Sequence, residues 1–287
     1  MRALAEFVMR GRSQAIAVAA LAVASSLFSW VGAAVVALVV LRRGPAHGFV
    51  VLGWSLLAAL IVALWRSDLG PMTALICAAV AALVLRNTVS WPLTLVTCSG
   101  LGLVTAAGFQ TVGSGYVDGL LQALGQLFAE MRSQLPVEQQ PMLRDPVAAQ
   151  VTGLLGLATT LSTVVSLLLA RWWQSMLYNP GGFREEFHQL RVPPLLAAGL
   201  IGCGVLATLA GPTYHFWALL FGVPLAVAGF ALVHGAVALK GWSRTPLVIL
   251  YVTWLLSGWV KALLLLLAVV DSWWDFRGRI ARAKRGE

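Results

Sequence analysis

Long apolar stretches, separated by short polar or basic punctuation, follow one another along the whole chain. They cover residues 15–41, 48–65, 72–89, 93–109, 147–170, 194–211, 216–239 and 246–270. A helix needs about 20 residues to cross a bilayer, so the pattern predicts an all-α polytopic transmembrane bundle of about eight hydrophobic runs. Barrel strands alternate apolar and polar positions, and these runs do not.

The first and last runs resist a single crossing. Arg10 and Arg12 precede the first and Arg42 and Arg43 follow it; Lys240 and Arg244 precede the last and Arg277, Arg279, Arg282, Lys284 and Arg285 follow it. The first run is also long, about 40 Å as a helix against a hydrocarbon core of about 30 Å. Tilt would absorb that length. A break within Ser25-Ser26-Leu27-Phe28-Ser29-Trp30-Val31-Gly32 would instead fold the run into a hairpin, and a break near Ser257-Gly258-Trp259 would do the same for the last run. With both breaks, sixteen of the twenty Lys and Arg residues lie on one side, Arg66, Arg132, Arg144 and Lys261 being the other four. That asymmetry predicts a cytoplasmic location for both termini. Each leg would hold about 12 to 15 residues, roughly 18 to 22 Å, which is short of a full span. The legs are therefore expected to be re-entrant or buried by neighbours, with a plain eight-helix protein as the alternative. Ala22-Val23-Ala24 resembles a signal-peptide cleavage site, but the apolar run continues past it, so the segment reads as a retained anchor.

Composition agrees with this reading. The chain of 287 residues is 59% hydrophobic and 11% charged, where a soluble domain carries about 25% charged residues. It reads as a single integral membrane domain, 1–287, with no sizeable soluble part. The net charge of +9 sits in short turns that orient helices and meet the anionic headgroups of a lipid bilayer, so no nucleic acid partner is expected. Cys77, Cys98 and Cys203 lie inside apolar runs without ligand spacing, and the four histidines are dispersed. No metal, cofactor or enzyme constellation is expected.

Between the fourth and fifth runs, residues 116–135 place Val117, Leu120, Leu121, Leu124, Leu127, Phe128, Met131 and Leu135 at helical spacing, with Asp118, Gln122, Gln126 and Glu130 opposite. This predicts an external amphipathic helix, lying on the bundle or acting as a lid over a cavity. In the fifth run Thr152, Gly156, Thr159, Thr163 and Ser166 share one face, which suits close helix packing or a polar cavity wall. Lys261 is the one basic residue deep in an apolar run; it must snorkel to the interface or meet an anionic group. Segment 171–191 reads as an interfacial stretch at the cytoplasmic face, with Pro180-Gly181 in a tight turn followed by a short helix. Asp271 to Arg277 opens a basic tail, 271–287, in which Asp271 can pair with Arg277 or a neighbouring arginine.

The segment Ala170-Arg171-Trp172-Trp173-Gln174, continuing through Tyr178-Asn179-Pro180-Gly181-Gly182-Phe183 and Glu186-Phe187, carries a resemblance together with Leu41-Arg42-Arg43-Gly44 and the ending Asp271 to Arg277. The chain resembles the YybS-like family of uncharacterised bacterial membrane proteins, similar in fold to the substrate-binding S components of energy-coupling-factor transporters. The resemblance implies an inner-membrane bundle that binds a small molecule and associates with a membrane partner. It also implies that small residues of the first helix, here Ala15 with Ala19 or Ala20 with Ala24, contact that partner. No vitamin-binding signature is present.

Interrupted hydrophobic runs at both ends of a bundle mark a transporter site. The expected substrate-lining residues are Ser29, Trp30, Ser257, Trp259 and Lys261 from the breaks, with Thr159 and Thr163 from the polar face. The alternative is a scaffold or assembly factor that docks a membrane-protein partner through Arg171, Trp172, Trp173, Tyr178, Asn179, Pro180, Gly181, Gly182, Phe183, Asp271 and Arg277.

Overall fold

The computed structural model describes residues 1–285, and it is helical from end to end. The chain opens with α1 (Arg2–Arg10), α2 (Arg12–Ala24) and α3 (Ser29–Arg43), followed by α4 (Pro45–Arg66), α5 (Gly70–Thr88), α6 (Trp91–Thr111) and α7 (Ser114–Ser133). After a short loop come α8 (Ala148–Tyr178), α9 (Gly182–Gln189), α10 (Pro194–Leu209) and α11 (His215–Lys240). The chain ends in α12 (Thr245–Leu256), α13 (Gly258–Trp274) and α14 (Phe276–Arg285). No strand occurs among the described residues.

Five helices are long and apolar enough to cross a membrane: α4, α5, α6, α8 and α11, the last counted from Pro212. They correspond to the runs 48–65, 72–89, 93–109, 147–170 and 216–239. The run at 194–211 forms α10, which meets α9 at a bend of 68°. The basic residues, the proline starts and the glycine ends set the boundaries. Gly44 takes a positive φ of 88° and Pro45 follows at the first helical position, so α3 stops and α4 begins in the reverse direction. Asn179-Pro180-Gly181 turns between α8 and α9, with Gly181 at φ 92°.

The first run breaks at residues 25–28 and folds back on itself. Gly32 of α3 faces α2 so closely that an added Cβ would lie 2.9 Å from the Ala19 carbonyl and 3.1 Å from Val23. At the other end of the legs, the Arg43 guanidinium donates to the Met9 carbonyl. The two arginine pairs therefore share one end of the bundle, which we call the base. Ala15 and Ala19 are buried within the chain, Ala19 under α3, while Ala20 is half-buried and Ala24 exposed.

This hairpin forms the centre of the protein. Every residue of α3 from Gly32 to Leu41 is buried, packed among α2, α4, α5 and α8. Ala, Val and Gly dominate this helix, and small side chains let four neighbours approach its backbone. On the other side of α8 lies α6, brought close by Gly102 and Gly156; a Cβ on Gly156 would sit 2.8 Å from that of Ala106. Thr160 Oγ1 donates to the Cys98 carbonyl at 3.3 Å, and Ser166 Oγ reaches the Trp30 carbonyl at 2.8 Å. The middle of α8 thus joins α6 on one side and α3 on the other, while Thr152 and Thr163 bond carbonyls of α8 itself.

The last run also turns back, through extended Ser257. On α12, Tyr251 stacks on Phe230 at 5.3 Å and meets His234 at 2.8 Å, so this helix descends antiparallel to α11. On α13, Leu264 lies at Gly229 and the following Arg277 at Gly235, so the second leg returns parallel to α11. Of the two legs, α13 packs along α11, while α12 touches α11 and α13 only lightly and has no fully buried residue.

Polar contacts concentrate at the base. Arg86 donates to the carbonyls of Val40 and Leu41 at the end of α3, where the helix dipole favours a cation. Arg42 lies 3.9 Å over the Tyr178 ring. Arg171 on α8 makes a two-pronged pair with Glu186 on α9, which also accepts from Trp91 Nε1 at 3.3 Å. Asp271 holds Arg277 at 2.6 Å in a nearly buried pair and caps Phe276 N at 2.9 Å. Arg277 in turn donates to the His188 and Leu190 carbonyls, both at 2.8 Å. The foot of the last hairpin is thereby fastened to the chain after α9.

Candidate functional site

The tip of the α2–α3 hairpin, where Leu27 and Phe28 stay exposed, contributes Ser26 and Ser29 to a cavity of about 240 Å³ at the end opposite the base. Its walls come from the start of α5, the middle of α8 and the α4–α5 turn, and Phe109 and Tyr116 stand over it with ring centroids 5.3 Å apart. The lining is rich in hydroxyls: Ser26, Ser29, Thr73, Tyr116, Thr159 and Ser162 all contribute. Asp68 is the one charged group among them.

Local structure explains how these groups are presented. Ser25 Oγ accepts from Phe28 N at 3.1 Å and closes the tip, while Ser26 adopts a left-handed φ of 53° that turns its side chain away from the helix path. Ser26 Oγ is buried and finds no hydrogen-bond partner; among the described residues Trp173 Nε1 is the other side-chain atom in that position. A buried unpaired hydroxyl costs about 1–3 kcal/mol. Asp68 Oδ1 accepts from Gly70 N at 2.9 Å, which fixes the carboxylate at the start of α5. Burial, followed by the nearby Asp68 charge, raises the Tyr116 phenol above its ordinary value, against a lowering contact from the Leu69 backbone. Tyr116 therefore stays a neutral donor. A solute held here would meet hydroxyls that donate and accept and one fixed negative charge. This chemistry suits a small polar molecule, best one carrying an amine.

Of the substrate residues expected from the sequence, Ser29 and Thr159 line this cavity. Trp30 and Thr163 lie just beneath it. The Trp30 carbonyl accepts from Ser166, and Thr163 Oγ1 donates to the Thr159 carbonyl at 2.8 Å. Ser257, Trp259 and Lys261 belong to the other hairpin, beyond α11, and do not join them. Trp259 is 83% exposed, and Lys261 lies over the Trp254 ring at 5.4 Å. The two breaks were expected to converge on one site, and the intervening α11 keeps them apart. Asp68, Ser26, Tyr116 and Ser162 join the lining without a sequence pattern that marks them for it. Asp68 reads as an ordinary turn residue, and only the packing of α7 against α6 and α8 brings Tyr116 to it.

The residues expected to dock a partner divide between inside and outside. Trp173 is completely buried, Gly182 is buried, and Phe183 packs on Trp91 and Phe187. Arg171, Asp271 and Arg277 are engaged in the base contacts described above. Trp172, Tyr178, Asn179, Pro180 and Gly181 remain on the surface. The amphipathic helix spans 114–133 and buries Val117, while Leu127 and Met131 stay open. Among the described residues no cluster of His, Cys, Asp or Glu could hold a metal ion. The geometry is that of a multi-pass helical membrane protein with a polar cavity, and no family model, curated protein or solved structure matches the chain.

Proposed function

We propose that this is a bacterial inner-membrane protein that binds, and through that binding helps to move, a small polar solute, in the manner of a transporter substrate-binding component. The observation that carries the reading is the cavity at the α2–α3 tip, with the unpartnered Ser26 hydroxyl and Asp68 in its lining. A hydroxyl that no protein group satisfies, set in a polar cavity, is available to hydrogen-bond a small polar solute. The sixteen grouped basic residues support a cytoplasmic base, which makes the cavity face outward. The resemblance to the YybS-like family is in keeping with the same role.

Single cysteines at Ser29→Cys and Thr159→Cys, in a chain whose native cysteines are replaced, test the reading with a membrane-impermeant thiol reagent. Both should label from the outer side of intact cells, and a buried control, Thr163→Cys, should not. A panel of small amines and polyols should contain compounds that slow this labelling. Ser26→Ala is expected to weaken such protection about 5- to 10-fold, the worth of a neutral hydrogen bond, and Asp68→Asn more. Labelling of neither cysteine, or equal labelling of Thr163→Cys, would overturn the cavity reading.

A further inference from the structure

Where α11 ends, the chain turns through Gly241 at φ 68° and starts α12 at Thr245. The two helices touch at the level of Phe230, His234 and Tyr251, then separate toward the base. The wedge between them is a cleft of about 610 Å³. Its walls are mostly apolar, with Val237, Leu247 and Val248; the His234–Tyr251 pair closes its apex, and Arg184 and Arg244 also line it. Among the described residues no carboxylate lines it.

The two arginines differ from most of their neighbours. Arg171, Arg191 and Arg277 are paired with Glu186, Asp275 and Asp271. Arg184 and Arg244, brought together from α9 and the start of α12, have no carboxylate partner among the described residues and are exposed. From these arginines an apolar track continues along Val248, Val252 and Leu255, which are exposed on the outer face of α12.

We infer that this cleft is a specific site for an anionic phospholipid, with the phosphate between Arg184 and Arg244 and an acyl chain along α12. A soluble anion would use the guanidiniums but leave the apolar walls and track uncovered, whereas a lipid covers both. The lipid also supplies α12, which has no fully buried residue, with a second surface to lie on.

The test is lipid retention by the full chain purified in mild detergent, read by native mass spectrometry against added phosphatidylglycerol, phosphatidylcholine or inorganic phosphate. Phosphatidylglycerol should be retained at least 10-fold over phosphatidylcholine. The double variant Arg184→Gln/Arg244→Gln should lose most of that preference. A control with two other exposed basic residues of the base removed, Arg12→Gln/Arg282→Gln, should keep it, and Arg184→Lys/Arg244→Lys should keep part. Inorganic phosphate at millimolar concentration should not displace the lipid. Equal retention of the two lipids, equal loss in the control pair, or full displacement by phosphate overturns the assignment. An unchanged unfolding midpoint in the double variant separates loss of the site from loss of the fold.

Discussion

The first hairpin and the last are built from similar sequence: an apolar run with basic residues at both ends and serine, glycine and tryptophan near the bend. One becomes the buried axis of the bundle, and the other lies across its flank. The difference is side-chain size. The buried leg reads Gly-Ala-Ala-Val-Val-Ala-Leu-Val-Val, small enough for α2, α4, α5 and α8 to close around it. The outer leg reads Leu-Val-Ile-Leu-Tyr-Val-Thr-Trp-Leu-Leu, whose bulk suits a lipid-facing surface and holds other helices off. Charge decides that a run turns back, while volume decides how deep it sits. The two hairpins are accordingly fastened in different ways: the first along both legs, the last along α13 and at its foot.

The largest effect should come from releasing that foot. Arg277→Gln leaves Asp271 buried without its cation and strips two carbonyl contacts, a change expected to cost about 3–5 kcal/mol. A fall in the thermal unfolding midpoint, with proteolysis starting in α12–α14, would show it. If proteolysis begins elsewhere, the last hairpin is not held from its base.

A matched pair of glycines probes the legs. Gly32→Leu forces a side chain against the Ala19 carbonyl and should cost about 1–3 kcal/mol or more. Gly258→Leu has nothing within 4 Å of its Cβ and should stay within about 0.5 kcal/mol of the parent. Equal midpoints for the two variants would erase the distinction between the hairpins.

The smallest effect concerns pH at the junction of the foot with α9. Burial first, then the charges of Arg184 and Arg277, lower the His188 pKa below its ordinary value of 6.5. The unfolded chain therefore binds a proton more readily than the folded one, so stability is retained above pH 6.5 and declines as pH falls through that value. The unfolding midpoint should drop slightly between pH 7.5 and 5.5, and His188→Gln should reduce that drop. The same pH dependence in the variant would locate it in other groups.

Much of this architecture is legible in the chain. The arginines at 10, 12, 42 and 43 announce the first reversal, Lys240 and Arg244 with the basic tail announce the second, and the spacing from Val117 to Met131 announces α7. What escapes is tertiary. Leu4, Ala5, Val8 and Met9 recur at helical spacing between charged residues and form α1, yet the segment is too short to stand out before α2 and α8 are there to pack on it. Ser29 and Thr159 are recognisable as polar residues on apolar helices. Asp68 and Tyr116 belong to turns and surface helix until the folded chain sets them beside the same cavity. The separation of the two breaks is invisible for the same reason, since no local pattern says that α11 will lie between them.

The short legs of the first hairpin have an electrical consequence. With α3 rising only about 22 Å, a cavity beside Ser26 that faces the outer solution, as proposed, would bring the aqueous boundary below the outer surface of the bilayer. A membrane voltage then falls across the thinner barrier below the tip. One elementary charge crossing the full potential gains about 2.3 kcal/mol per 100 mV. For a cationic solute resting beside Asp68, nearly all of that work would remain to be done between the cavity and the arginines at the base.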